Sequence, residues 1–126
     1  MRTRMRLSAE SVLAIKELKR VLFGDTEAPV TVGYMIGRAY KIIEPKLDSF
    51  ENEWLELSDI KVKDITGASE VLEGADTTVN LEKKVYEGIS KLQIKFVSIF
   101  KGSKRVYRTF VVKLVLLAAL QELLKK

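Results

Sequence analysis

The chain opens "MRTRMRLS", and Arg2, Arg4 and Arg6 stand at every second position, separated by Thr3, Met5 and Leu7. A guanidinium group is always charged, and its planar fork of donors matches phosphate oxygens and the O6/N7 edge of guanine. Successive side chains of a β-strand point to opposite faces. A strand over residues 2–7 therefore puts three arginines on one face and Thr3, Met5 and Leu7 on the other. A second basic group, Lys101, Lys104, Arg105 and Arg108, falls near the start of the last helical pattern. Cations at a helix N-terminus suit a phosphate, although a solvated lysine-rich surface explains the same cluster. The carboxylates Glu51, Glu53, Glu56 and Asp59 are ligand types for a hard divalent cation. With no regular ligand spacing, they read as an exposed acidic face and not as a metal site.

The remaining chemistry is excluded by composition. The 126 residues contain no histidine and no cysteine, which removes imidazole acid–base catalysis, thiolate chemistry, disulfides and Cys/His metal sites. There is no phosphate loop, dinucleotide fingerprint or nucleophile elbow. The chain reads as a binding protein, not an enzyme, and no cofactor is implied.

Charge divides the sequence. Residues 1–46 carry nine basic and five acidic groups, residues 47–78 two and nine, and residues 79–126 eleven and three. The basic parts of such a chain suggest a polyanionic partner. The longest apolar run, "FVVKLVLLAAL", is about half of the ~20 residues needed to span a bilayer. No apolar stretch follows the basic N-terminus as in a secretory leader. A cytoplasmic protein with no membrane contact is expected.

The elements that position the arginines follow from spacing. Ser8 can cap a helix over 9–23, whose Val12, Ile15, Leu18 and Leu22 form one apolar stripe and whose end is marked by Gly24. Thr31 can cap a second helix with Val32, Met35, Ile36, Ala39, Ile42 and Ile43 on its apolar face. Gly33 and Gly37 leave one side of that helix bare, which predicts close approach of another helix or chain. "PKLDSFENEWLEL" predicts a third helix, with Leu47, Phe50, Trp54 and Leu57 inward. Residues 58–78 predict a short extended piece at Ile60 and Val62 with loops. A long helix is expected from "VNLEKKVYEGISKLQIKFVSIF", stopping at Gly102. Ser103 is expected to cap a last helix, apolar most of the way round and so buried in a core or an interface.

A lone strand leaves its backbone hydrogen bonds unmade. Nothing else in the first half resembles a mate, so the sequence predicts pairing with the same strand of a second chain about a two-fold axis. Such a ribbon fits the major groove, where a good arginine–guanine pair contributes about 1–3 kcal/mol of discrimination.

On these residues the chain resembles the ribbon-helix-helix family of DNA-binding proteins. "RMRLSAESVLAIKELK" is similar to that family's strand and first helix, with Ile15 and Leu18 at its apolar positions. "TVGYMIGRAY" is similar to the start of its second helix, through Thr31, Val32, Met35, Ile36 and Ala39. The resemblance implies base contacts from Arg2, Arg4 and Arg6 and a phosphate held on the backbone amides of Thr31 and Val32. It covers residues 1–44, and the turn "FGDTEAPV" is longer than that family's usual one. A narrower likeness, on "RMRLS" and "IKELK", is to the DndE family of small accessory proteins in DNA sulfur modification.

The resulting expectation is a mostly α protein. It has an intermolecular ribbon-helix-helix unit at 1–44, an acidic connector at 45–78 and a C-terminal helical hairpin at 79–126. The hairpin's apolar last helix would drive oligomerisation or hold a partner protein. The expected function is sequence-directed binding of double-stranded DNA by a homodimer, as a regulator or an accessory factor of a DNA-processing complex. The rival reading is a helical protein–protein adaptor whose basic strand is incidental.

Overall fold

The structure is a computed structural model that describes residues 1–50 and 52–125. Its elements are β1 (Arg2–Leu7), α1 (Ala9–Phe23), α2 (Val32–Ile43), a 3₁₀ turn (Glu44–Ser49), α3 (Asn52–Leu57), α4 (Val62–Thr66), β2 (Ala75–Asn80), α5 (Lys83–Phe100) and α6 (Arg108–Leu124). The chain is mostly helical, with one two-stranded antiparallel ribbon that begins at its N-terminus.

That ribbon corrects the central expectation. β1 does not wait for a second copy: it pairs with β2 of its own chain, from Arg2 opposite Asn80 to Leu7 opposite Ala75. The Met1 ammonium extends the ladder by donating to the Leu81 carbonyl at 2.7 Å, and the Leu81 N–H returns a bond to Met1. The backbone demand that argued for a dimer is met within one chain.

Local signals placed the first two helices well. Ser8 Oγ accepts the Ser11 N–H at 3.1 Å, and Gly24 closes α1 in the left-handed region at φ 71°. Thr31 Oγ1 accepts the Tyr34 N–H at 3.1 Å and starts α2. Later boundaries moved. The third helix is split: Pro45 lies in the 3₁₀ turn, Phe50 leaves helical geometry at ψ 81°, and α3 is a separate short helix. Val62 opens α4 instead of an extended piece. Lys101 and Gly102 end α5 with φ of 48° and 82°. Ser103 does not cap α6, because its Oγ bonds back to the Phe100 carbonyl at 2.6 Å. The helix begins at Arg108, with Tyr107 at the cap position.

The core explains the apolar last helix. α6 packs against α1, α2, α3, α4, α5 and β1, and every residue from Val111 to Leu120 is buried except Lys113. Its apolar coat is consumed inside the chain, not offered to an oligomer or a partner. One apolar cluster runs from Met5 and Leu7 on β1 to Leu120 on α6 and includes Trp54, so all three charge segments share it. Of the two glycines of α2, Gly33 serves close packing within the chain, while Gly37 has room beside it. A Cβ on Gly33 would run into the Asn80 carbonyl, and one on Gly37 would face Val85 at 3.8 Å. No helix among the described residues is long and apolar enough to cross a membrane.

Candidate functional site

The alternation at the N-terminus acts as the spacing predicts. Met5 and Leu7 are buried and Thr3 half-buried, while Arg2, Arg4 and Arg6 are exposed. The mate strand has the same parity: Val79 is buried, and Asp76, Thr78 and Asn80 are exposed. The outer face of the ribbon is therefore three arginines on one strand and Asp76, Thr78 and Asn80 on the other. Register sets Arg2 opposite Asn80, Arg4 opposite Thr78 and Arg6 opposite Asp76.

One contact crosses this face diagonally. Arg4 Nε donates to Asp76 Oδ1 at 3.0 Å, and Arg4 Nη2 donates to Oδ2 at 3.3 Å. Those bonds hold the Asp76 carboxyl below its ordinary range, with further help from the charges of Arg4 and Arg6. They raise the Arg4 guanidinium in turn. Exposed ion pairs of this kind contribute little to stability. Asp76 reduces the positive charge of the face without abolishing it.

The two ends of the ribbon lie beside helix N-termini. At the Arg2–Asn80 end, Thr31, Gly33, Tyr34, Gly37, Arg38 and Lys41 join Asn80 and Glu82 around a cavity of about 220 Å³. The absence of a side chain at Gly33 lets the first turn of α2 reach β2. The amides of Thr31 and Val32 thus come to the same end of the ribbon as Arg2. Lys41 in this cavity is paired with Glu82 at 2.9 Å, whereas Arg38 donates to the Tyr34 hydroxyl at 3.1 Å.

At the Arg6 end, a second cavity of about 220 Å³ is lined by Arg6, Ser8, Arg105, Tyr107, Thr109, Phe110 and Lys113. The basic cluster expected around the last helix is divided here. Lys101, Lys104 and Arg105 are exposed on the loop before α6. Arg108 turns inward instead: it donates to the Tyr86 hydroxyl at 3.0 Å and the Thr3 hydroxyl at 3.4 Å, and its guanidinium stacks on the Tyr86 ring at 4.6 Å. Arg108 ties α6 to α5 and β1. Lys113 replaces it in the cavity, a residue the sequence did not single out. Its ammonium lies 5.5 Å from the Phe110 ring, and burial pushes its pKa down.

Of the acidic residues on the connector, Glu53, Glu56 and Asp59 are exposed, and Glu51 lies outside the described residues. Among the described residues, no three His, Cys, Asp or Glu side chains come together in a group able to hold a metal ion.

No family model, no curated protein and no solved structure matches this chain.

Proposed function

We propose that the chain binds double-stranded DNA by inserting the outer face of the β1–β2 ribbon into the major groove. The observation that carries this reading is the alternation itself: Arg2, Arg4 and Arg6 all emerge on the outer face of a two-stranded ribbon, the element besides a helix that the major groove admits. Each arginine can grip guanine O6 and N7 or a phosphate. The α2 amides of Thr31 and Val32 at one end of the ribbon, and Arg105 with Lys113 at the other, suit the two flanking sugar–phosphate backbones.

The ribbon is complete in one chain, so this reading needs no homodimer. The adaptor alternative loses its main support with the burial of α6, whose apolar surface is used inside the core.

Fluorescence anisotropy with a labelled mixed-sequence duplex tests the proposal. The logarithm of affinity should fall with the logarithm of salt concentration, by about 0.9 per phosphate neutralised. The Arg2/Arg4/Arg6 triple alanine variant should bind far more weakly and with a shallower slope. Unchanged affinity in that variant, or affinity that ignores salt, would show that the ribbon is not the DNA contact.

A further inference from the structure

The ribbon joins two different sequences, so its outer face has no internal symmetry. A ribbon of two copies repeats the same residues about a dyad and matches a palindromic site. Here Arg2, Arg4 and Arg6 lie on β1 alone, and Asp76, Thr78 and Asn80 on β2 alone. The two halves also differ in chemistry. Arginine only donates hydrogen bonds, whereas the asparagine amide both donates and accepts, which complements adenine N6 and N7.

Asp76 has a role set by its geometry. A guanidinium has five N–H donors. Asp76 engages the Nε–H and one Nη2–H of Arg4, which lie on one edge. One Nη1–H and the second Nη2–H form the end-on edge, where guanine O6 and N7 would dock. The carboxylate thereby fixes the plane of a side chain that is otherwise 77% exposed. Ordering such a side chain before binding removes part of the entropy lost on association.

We infer that β2 supplies the second half of a base-reading face, with Asp76 as a positioning residue for Arg4 and Asn80 as an adenine reader, so that one chain recognises an asymmetric duplex site. This rests on the reading of the ribbon as a DNA contact.

The test is selection by the full chain from double-stranded DNA with a randomised core, followed by sequencing and by the mass of the complex. A non-palindromic motif containing guanine and adenine is expected, with one chain per duplex. Asn80→Ala should flatten the adenine preference by about tenfold or more. Asp76→Ala removes a negative charge, so it should bind unselected duplex more tightly while losing guanine preference, and Asp76→Glu should restore part of that preference. A charge that merely weakens DNA binding would change affinity without touching preference. A palindromic motif with two chains per duplex, binding without any preference, or a motif unchanged in both variants would overturn the inference and leave DNA binding standing. Failure of the wild-type chain to retain any duplex at low salt would overturn the DNA reading itself.

Discussion

Gly33 and Gly37 sit one turn apart on the same side of α2, yet alanine at the two positions should have opposite effects. In a helix, alanine is favoured over glycine by up to about 1 kcal/mol. At Gly37 nothing opposes that gain: the nearest atom to a new Cβ is Val85 Cγ2 at 3.8 Å, an ordinary contact. Gly37→Ala should stabilise the fold by about 0.5–1 kcal/mol. At Gly33 the new Cβ would collide with the Asn80 carbonyl oxygen, and would lie 2.9 Å from its carbon and 3.1 Å from the Asn80 nitrogen. These are backbone atoms of β2, and no rotamer change can move them aside. α2 and β2 must separate, at the roughly 1–3 kcal/mol typical of overpacking. Gly33 is the second residue of its helix, where the propensity gain is smallest. We therefore expect a net loss of about 1–3 kcal/mol. With an unfolding entropy of about 2.1 cal/mol/K per residue, each kcal/mol moves the melting temperature of a chain this size by about 4 °C. Urea melts followed by circular dichroism and by fluorescence of the single tryptophan, Trp54, would measure both variants; Trp54 is fully buried and reports on the core. A Gly33→Ala chain as stable as the parent would refute the close approach of α2 to β2. A destabilised Gly37→Ala chain would refute the room assigned beside it.

Two other outcomes follow from single side chains. Thr31→Ala removes the acceptor of the Tyr34 N–H and should cost about 1 kcal/mol in a urea melt, with Thr31→Ser close to the parent; equal stability of all three chains would show that the cap contributes nothing. Lys113 is held below its ordinary pKa of 10.5 chiefly by burial, with the Lys104 charge acting in the same direction and Glu10 opposing. A base that binds its proton more weakly folded than unfolded destabilises the fold while charged. That penalty is relieved as pH rises from the folded value towards 10.5. Lys113→Met should therefore be more stable than the parent at neutral pH, with an advantage that shrinks in melts taken at increasingly alkaline pH. Under the proposed function it should also bind duplex with a salt slope lower by about 0.9. A Met variant no more stable at neutral pH would mean that the ammonium is adequately solvated where it stands.

Much of the first 44 residues was legible because the signals there are local. The period of two at Arg2, Arg4 and Arg6, the caps at Ser8 and Thr31, and the left-handed Gly24 each depend on a few neighbouring residues, and each keeps its expected role. The mate of β1 is not legible, although "ADTTVN" carries Thr77, Thr78 and Val79, β-branched residues bounded upstream by Gly74. The strand is short, half-polar and embedded in the acidic segment. Its Val79 and Asn80 also fit the start of the following helical pattern. Arg108 reads with its basic neighbours because charge is visible in a sequence, whereas the Tyr86 ring that captures it comes from another helix.

The sequence by itself determined that the chain is mostly helical, that its first strand shows three guanidinium groups on one side, and that its last helix is too apolar to stand in water. Each is a property of consecutive residues and survives any arrangement of the rest. Only the tertiary structure decided that β1 closes on β2, that α6 is wrapped by its own chain, and that the bare side of α2 receives the Asn80 backbone. The sequence states that a strand edge, an apolar surface and a missing Cβ must be covered. Which of many distant segments covers each depends on the total free energy of packing, which no local pattern encodes.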